Sequence, residues 1–291
     1  MARFSRFRGE IAFASILAFG QSPVLRDSLA TLAVSTDREA LQRAAVDIAS
    51  SGDPGALARL QSLLGTGTFL ARLDNLNEPQ ERLIHVAKVF QALRDHPSPA
   101  TAAICIALSA EPDFAVIPAR LNFLLPALAA VRPMSSAAAG VFRRTNREGY
   151  YSLNAPLLSG NGSPRALAVF AEIIADRRVD PPDRVDLARR SIVPHRTDAA
   201  LLGTVRHLLK TNLDLTVRDA IVEAIFDDQP SRFFGRQGRQ PVPPGWESIS
   251  EPARRHVLAL GEMELRRPDL PAQLRLSIQR VRQRLQRRTA P

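Results

Sequence analysis

The five histidines are the side chains best suited to proton transfer or metal binding near neutral pH. They are His85, His96, His195, His207 and His256. No two of them stand four residues apart, and none is spaced with cysteine or carboxylates in the way typical of a zinc site. The sequence therefore predicts no metal site and favours structural or surface positions for these side chains.

Carboxylates and glycines form no catalytic pattern either. Acidic pairs such as Asp227 with Asp228 could act as general acid and base only inside a pocket, and adjacent acids at a helix end are commonly solvated. The run LSGNGSP, residues 158–164, has two glycines but lacks the lysine and the preceding strand of a phosphate loop. We expect no cofactor, and the sequence favours a protein without catalytic residues.

Cys105 is the only cysteine and lies in the apolar run AAICIAL, residues 102–108. A single cysteine excludes a disulfide within the chain. Because cysteine often packs as a small hydrophobic side chain, we expect Cys105 to be buried and structural.

Basic residues concentrate at the two ends of the chain, whose formal net charge is +10. Residues 1–26 hold four Arg against one Glu, and residues 251–291 hold ten Arg against four acidic residues. Such ends could attract an anionic partner: nucleic-acid phosphates, a lipid surface or an acidic protein.

The last helix predicted from the sequence has an apolar stripe at Leu270, Leu274, Ile278, Val281 and Leu285. Arginines lie outside this stripe and in the helix before it, so they are candidates for anion binding. The alternative is the polar outer face that the end of any helical stack requires. The candidate residues are Arg254, Arg255, Arg266, Arg267, Arg275, Arg280, Arg282, Arg284 and Arg287.

A long irregular segment, residues 229–250, separates this basic end from the rest of the chain. It contains Phe233, Phe234 and the only tryptophan, Trp246, among several arginines. Large aromatic residues with arginine are typical of interaction hot spots. The segment is therefore a second candidate binding region, unless its aromatic side chains only anchor it to the helices.

The elements that would position these residues are short helices with a recurring start. In SGDPGALARLQSLLG, residues 51–65, Asp53 can cap a helix and Pro54 suits its first position. Similar starts occur at Ser163, at Asp198 and, more loosely, at Ser98. Each is followed by apolar residues at helical spacing, which predicts one buried face per helix.

An amphipathic helix precedes each of these copies, and no segment alternates as a strand would. The sequence therefore predicts an all-α fold of about 13 to 16 helices. Thr216 and Asp219 have the spacing of a capping box, which would place a helix start there. Prolines 118, 126 and 133 predict kinked or broken helices in the region 114–146.

The pattern GDPxALxxLxxLL at residues 52–64 resembles the second helix of HEAT-like repeats of the phycobilisome-lyase type, and the resemblance covers residues 37–227. It implies an α-solenoid of stacked helical hairpins, irregular in the middle. Proteins of this kind are mostly binding scaffolds, a few bind nucleic acid and a few are enzymes, whose motifs do not map onto this chain. We therefore expect a non-catalytic protein–protein interaction scaffold whose concave face is built by the second helices. Binding of nucleic acid or another polyanion through the arginine-rich ends is the alternative.

Two further expectations concern the organisation of the chain. Residues 1–228 would form the main stack, and residues 229–291 a loop and basic helix pair that cap the same core. Residues 1–20 imitate a signal peptide, which would imply export. Their helical spacing instead favours an amphipathic capping helix and a cytoplasmic protein, and their apolar run is too short to span a membrane.

Overall fold

The computed structural model describes residues 22–74, 83–227 and 245–287. Within these ranges the chain forms sixteen α-helices joined by turns and short 3₁₀ helices, with no strand. The all-α prediction is confirmed. The chain divides into two compact units, residues 1–131 and residues 132–291. The boundary predicted at 228/229 lies outside the described residues.

The first unit contains eight helices in its described part. α2 packs on α1 and α5, and α5 also packs on α8, while α6 packs on α3 and α8. The helices are α1 Pro23–Val34, α2 Arg38–Ser51, α3 Pro54–Leu64, α4 Gly67–Leu73, α5 Ile84–Asp95, α6 Pro99–Leu108, α7 Pro112–Ala115 and α8 Leu121–Ala130.

The second unit also contains eight helices in its described part. They are α9 Ser136–Arg147, α10 Tyr151–Asn161, α11 Pro164–Ala175, α12 Pro181–Ile192, α13 Ala199–Leu208, α14 Leu215–Phe226, α15 Glu251–Leu265 and α16 Ala272–Arg287. Each helix from α9 to α14 packs on the helix two places later in the chain. This produces an odd row, α9, α11, α13 and α15, and an even row, α10, α12, α14 and α16.

The helix starts follow the cap residues expected from the sequence. Oδ1 of Asp53 accepts a hydrogen bond from the Ala56 N–H at 2.7 Å, and Oδ1 of Asp198 accepts from the Ala200 N–H at 2.8 Å. Ser163 also stands at the cap position of α11, but its hydroxyl donates to the Asn161 side chain instead. These caps satisfy N–H groups that the first helical turn leaves without an intrahelical partner.

The apolar faces of the recurring helices are buried as their spacing predicts. Of the four apolar residues predicted to face inward in α3, Leu57, Leu60 and Leu64 are buried and Leu63 is half-buried. All four predicted residues are buried in each of the other two helices: Leu167, Phe170, Ile173 and Ile174 in α11, and Leu202, Val205 and Leu208 in α13 with Leu209 just after it. Burying a leucine stabilises the folded state by about 1.5–3 kcal/mol, so these faces account for much of the core.

The capping box expected at Thr216 is wrong. α14 begins at Leu215, with Asp214 at its N-cap position and the Asp214 carbonyl accepting from the Arg218 N–H at 2.9 Å. Thr216 is exposed in the first turn. Asp219 therefore stands five residues after the N-cap instead of three, and its carboxylate pairs with Arg267 at 2.8 Å.

The proline-rich middle region contains short elements. The four-residue α7 is followed by a 3₁₀ turn, Pro118–Arg120, and Pro126 lies inside α8. Cys105 in α6 is fully buried, and this burial raises the pKa of its thiol far above the ordinary value. None of the helices in the described ranges combines the length and apolar character needed to cross a membrane.

Candidate functional site

Arg267, one of the candidate anion-binding residues, lies in an ionic cluster at the turn between α15 and α16. Glu264 is fully buried, with Oε1 2.8 Å from Arg218 and Oε2 2.9 Å from Arg267. Arg267 also pairs with Asp219 and Asp269, at 2.8 Å and 3.1 Å. These five residues are called the Glu264 cluster below.

Electrostatics in the Glu264 cluster tie Arg267 to the protein itself. Burial alone would lower the pKa of Arg267, but hydrogen bonds to Asp269, Glu264 and Asp219 raise that pKa above its ordinary value. The guanidinium is therefore held charged and saturated by carboxylates from α14, α15 and the turn after α15. It links α14 of the even row to α15 of the odd row and to the turn that follows α15.

Three other candidate arginines join α15 to α16. Arg275 donates to the carbonyl oxygens of Leu265 and Arg267, at 3.0 Å and 3.1 Å. Arg254 binds Glu251 at 2.7 Å and reaches the Leu285 carbonyl at 3.3 Å. The stem of Arg282 lies against Gly261, where an added Cβ would come within 3.0 Å of it. These arginines contribute to packing as well as to charge.

The remaining candidate arginines are exposed, as their helical spacing predicts. Arg280, Arg284 and Arg287 lie on the solvent side of α16. Arg255 and Arg266 lie on α15, where each faces a glutamate one turn earlier: Glu251 at 4.0 Å and Glu262 at 2.5 Å. Exposed pairs of this kind stabilise little, so these guanidinium groups can exchange their partners for others.

Trp246 is an anchor of the second unit. Its ring is buried, and the Arg196 guanidinium carbon lies 4.7 Å from the ring centroid. Nη1 of Arg196 also donates to the Asp227 carbonyl at 2.7 Å. Arg196 thus holds the residues on both sides of the segment 228–244. Phe233 and Phe234 lie outside the described residues.

A groove of about 360 Å³ lies between α13 and α15 in the odd row. It is lined by Arg206 from α13 and by Pro252, Arg255 and His256 from α15. The two helices approach closely beside it, since a Cβ on Gly203 would stand 3.5 Å from His256. Sequence reasoning selected Arg255 but missed Arg206 and His256, because their proximity depends on packing between helices 43 residues or more apart in the chain.

Two of the other histidines, His85 and His195, are partly buried in the fold, whereas His96 and His207 are exposed. Nδ1 of His85 lies 2.8 Å from Oε1 of Gln42. Burial lowers the pKa of His195, and the nearby Arg132 lowers it further while Asp198 opposes both effects. In the ranges that the structure covers, no group of three His, Cys, Asp or Glu side chains is placed to hold a metal ion.

The first unit contains a buried carboxylate that holds the start of α5. Asp74 is fully buried, and its two oxygens accept from the N–H groups of His85 and Val86, at 3.0 Å and 3.2 Å. Burial raises the pKa of Asp74, although these hydrogen bonds and the charge of nearby Arg120 oppose the shift. The carboxyl fixes the two ends of the segment 75–82 and is enclosed away from ligands.

A second groove, of about 350 Å³, lies between α5 and α8 of the first unit. Phe90, Phe123 and Pro126 form its apolar part, and Arg94 lies at its edge. This groove is lined by one basic side chain, whereas the α13–α15 groove is lined by two arginines and a histidine. The latter is therefore the stronger candidate for a charged ligand.

Comparisons of this chain with protein-family models, with curated proteins and with solved structures found no match. The resemblance to HEAT-like repeats therefore stays a prediction.

Proposed function

We propose that this protein is a non-catalytic protein–protein interaction scaffold built from stacked helical hairpins of HEAT-like architecture. The observation that supports it most is the two-row packing of residues 132–291, where each helix contacts the helix two places later. Such packing leaves the outer face of each row as a continuous surface made of several helices. Surfaces of this kind are what helical-repeat proteins use for binding.

The two rows differ in whether their charged side chains pair with one another within the protein. Along the even row, ion pairs join α12 to the start and body of α14: Arg184 with Asp214 and Arg189 with Glu223. The Glu264 cluster instead joins α14 to α15 of the odd row. Tyr151 also donates to Asp183 at 3.1 Å, from α10 to α12. These groups satisfy one another within the protein, so they are not available to a charged partner; among the even-row helices, α16 is the one whose exposed arginines are candidates for such contacts.

The odd row has a different surface. Its exposed positions include small side chains such as Ala168, Ala175 and Ala200, over which a partner could pack closely. Its last two helices add the groove with Arg206, Arg255 and His256. We therefore assign partner binding to the outer face of the odd row.

Photo-cross-linking from within the host cell tests this assignment. Benzoylphenylalanine in place of Thr204, on the odd row, should yield one discrete cross-linked protein. The same residue in place of Thr216, exposed on the even row, is the matched control and should yield none. No cross-link at Thr204, or the same set of weak products at both positions, would argue against a scaffold that binds through the odd row.

Binding of nucleic acid or another polyanion through α16 is a second candidate. Arg280 and Arg287 are exposed there, and neither makes an ion pair with another described residue. With Arg284 they follow helical spacing, so one phosphate backbone could contact all three. Binding of a labelled 20-nucleotide DNA or RNA should weaken steeply as salt rises and should be lost in an Arg280→Glu/Arg287→Glu variant.

The cellular compartment is a separate proposal. The helical spacing of Phe4, Phe7 and Ile11 supports an amphipathic first helix and a cytoplasmic location. The intact mass of the protein isolated from its host tests this. Loss of about 20 residues from the N-terminus would instead indicate cleavage of a signal peptide and export.

A further inference from the structure

We propose that the α13–α15 groove binds an acidic segment of the partner protein, with Arg206 and Arg255 pairing with its carboxylates. This inference rests on the proposed scaffold function and adds the chemistry of the partner. Arginine suits the role because its planar guanidinium can donate two parallel hydrogen bonds to one carboxylate.

The two arginines of the groove have guanidinium N–H groups that are available to bind a ligand. The Arg206 side chain is exposed and makes no hydrogen bond or ion pair with the other residues that the structure describes. The nearest carboxylate to Arg255 is Glu251, at 4.0 Å. Glu251 is already bound by Arg254 at 2.7 Å and 3.1 Å, and this bond lowers the pKa of Glu251. Both groove arginines can therefore accept a new anionic partner without breaking a strong contact.

The floor of the groove favours a peptide over a small free ion. The Pro252 ring and the stems of the two arginines supply apolar surface beside the charged ends. A peptide can place an apolar side chain on this floor while neighbouring Asp or Glu residues reach the guanidinium groups. Inorganic anions would use only the charges.

The net charge of this chain also indicates that the acidic segment in the groove belongs to a different protein. The segment 228–244, which precedes α15, has three arginines and one aspartate, so it carries the same sign as the groove. The whole chain has a formal net charge of +10, so a second copy would be repelled. An acidic partner protein has the complementary charge.

The outer stripe of α15 disfavours a nucleic-acid backbone. This stripe consists of Glu251, Arg255, Glu262 and Arg266, which lie on one face of the helix, so acidic and basic side chains alternate along it. Two carboxylates along this line would repel a continuous row of phosphates. A short acidic segment that enters between α13 and α15 meets the two groove arginines first.

Fluorescence anisotropy with the full chain tests the proposal. The probe is a fluorescein-labelled decapeptide with four glutamates around a central leucine, and its control has glutamine at the four acidic positions. A labelled ten-nucleotide oligothymidine represents nucleic acid. Two double variants with the same change of charge are compared: Arg206→Glu/Arg255→Glu in the groove and Arg280→Glu/Arg287→Glu on α16. Circular dichroism checks that both remain folded, and Arg206→Ala/Arg255→Ala serves as a milder second groove variant.

We expect the glutamate peptide to bind at least tenfold more tightly than the glutamine peptide. The groove reversal should weaken its binding at least tenfold, the alanine variant about fivefold or more, and the α16 reversal less than twofold. Equal losses in both reversals would overturn the proposal, because only the overall charge would then matter. Absence of binding by the glutamate peptide, or equally tight groove-dependent binding of oligothymidine, would also overturn it. If any of these results were obtained and a partner still cross-linked at Thr204, the groove proposal would fail while the proposed scaffold function would remain supported.

Discussion

The Arg196 guanidinium stacks on the buried ring of Trp246 and donates to the Asp227 carbonyl. One side chain therefore contacts the chain before and after the segment 228–244. A stacked, desolvated guanidinium can contribute about 2 kcal/mol, and it fixes the position from which α15 begins. Because α15 forms one wall of the α13–α15 groove, this contact also positions the proposed binding site.

Replacing Trp246 by alanine should lower the free energy of unfolding by about 3–5 kcal/mol, since it removes a large buried side chain. Trp246→Phe, which keeps an aromatic ring, should cost clearly less. Urea denaturation followed by circular dichroism measures both variants. Equal stability of wild type and Trp246→Ala would contradict the role of Trp246 as an anchor.

Arg196→Lys keeps the charge but removes the planar group that covers the Trp246 ring. Trp246 is the only tryptophan, so its fluorescence reports this site without interference. We expect acrylamide to quench the fluorescence more strongly in the variant than in the wild type. Unchanged quenching would show that Arg196 does not shield the ring.

Glu264→Gln should destabilise the protein by about 3 kcal/mol, because it leaves Arg218 and Arg267 short of a buried negative charge. The matched control is Glu262→Gln on the same helix, which loses only an exposed pair with Arg266. That change should cost less than about 0.5 kcal/mol. Similar losses in the two variants, measured by urea denaturation, would refute the structural role of the Glu264 cluster.

Asp74 should make stability depend on pH in the opposite sense to a salt-bridged carboxylate. Its pKa is raised in the folded state, so folding favours the protonated form. Its contribution is fully present below the ordinary pKa of about 3.9 and is lost as pH rises through the folded value. The stability of wild type relative to Asp74→Asn should therefore fall as the pH rises above about 4. Parallel stability curves over that range would exclude a raised pKa for Asp74.

Cys105 should be inert towards a thiol reagent such as dithionitrobenzoate while the protein is folded. The side chain is fully buried and its thiol pKa is raised, so both access and thiolate formation are suppressed. Full reaction is expected after unfolding in urea. Rapid labelling of the native protein at neutral pH would show that α6 opens readily.

Local features of this fold can be predicted from the sequence, and the features of the candidate site cannot. Asp53 and Asp198 indicate their helix starts because capping depends on neighbouring residues only. The capping box at Thr216 fails because the helix starts earlier, with Asp214 at the N-cap, and Asp219 instead binds Arg267, which is 48 residues away. The sequence around Arg267 predicts a surface residue, because its partner Asp219 is too distant in the chain to be recognised from a local pattern. The proximity of Arg206 to Arg255 depends on how α13 packs on α15, and no local pattern encodes that packing.

The most direct test combines the cross-linker at Thr204 with the two charge reversals. If the odd row binds an acidic partner, the discrete product formed at Thr204 should be retained with Arg280→Glu/Arg287→Glu and should disappear with Arg206→Glu/Arg255→Glu. A product that survives the groove reversal at full yield, or that never forms at Thr204, would contradict this account.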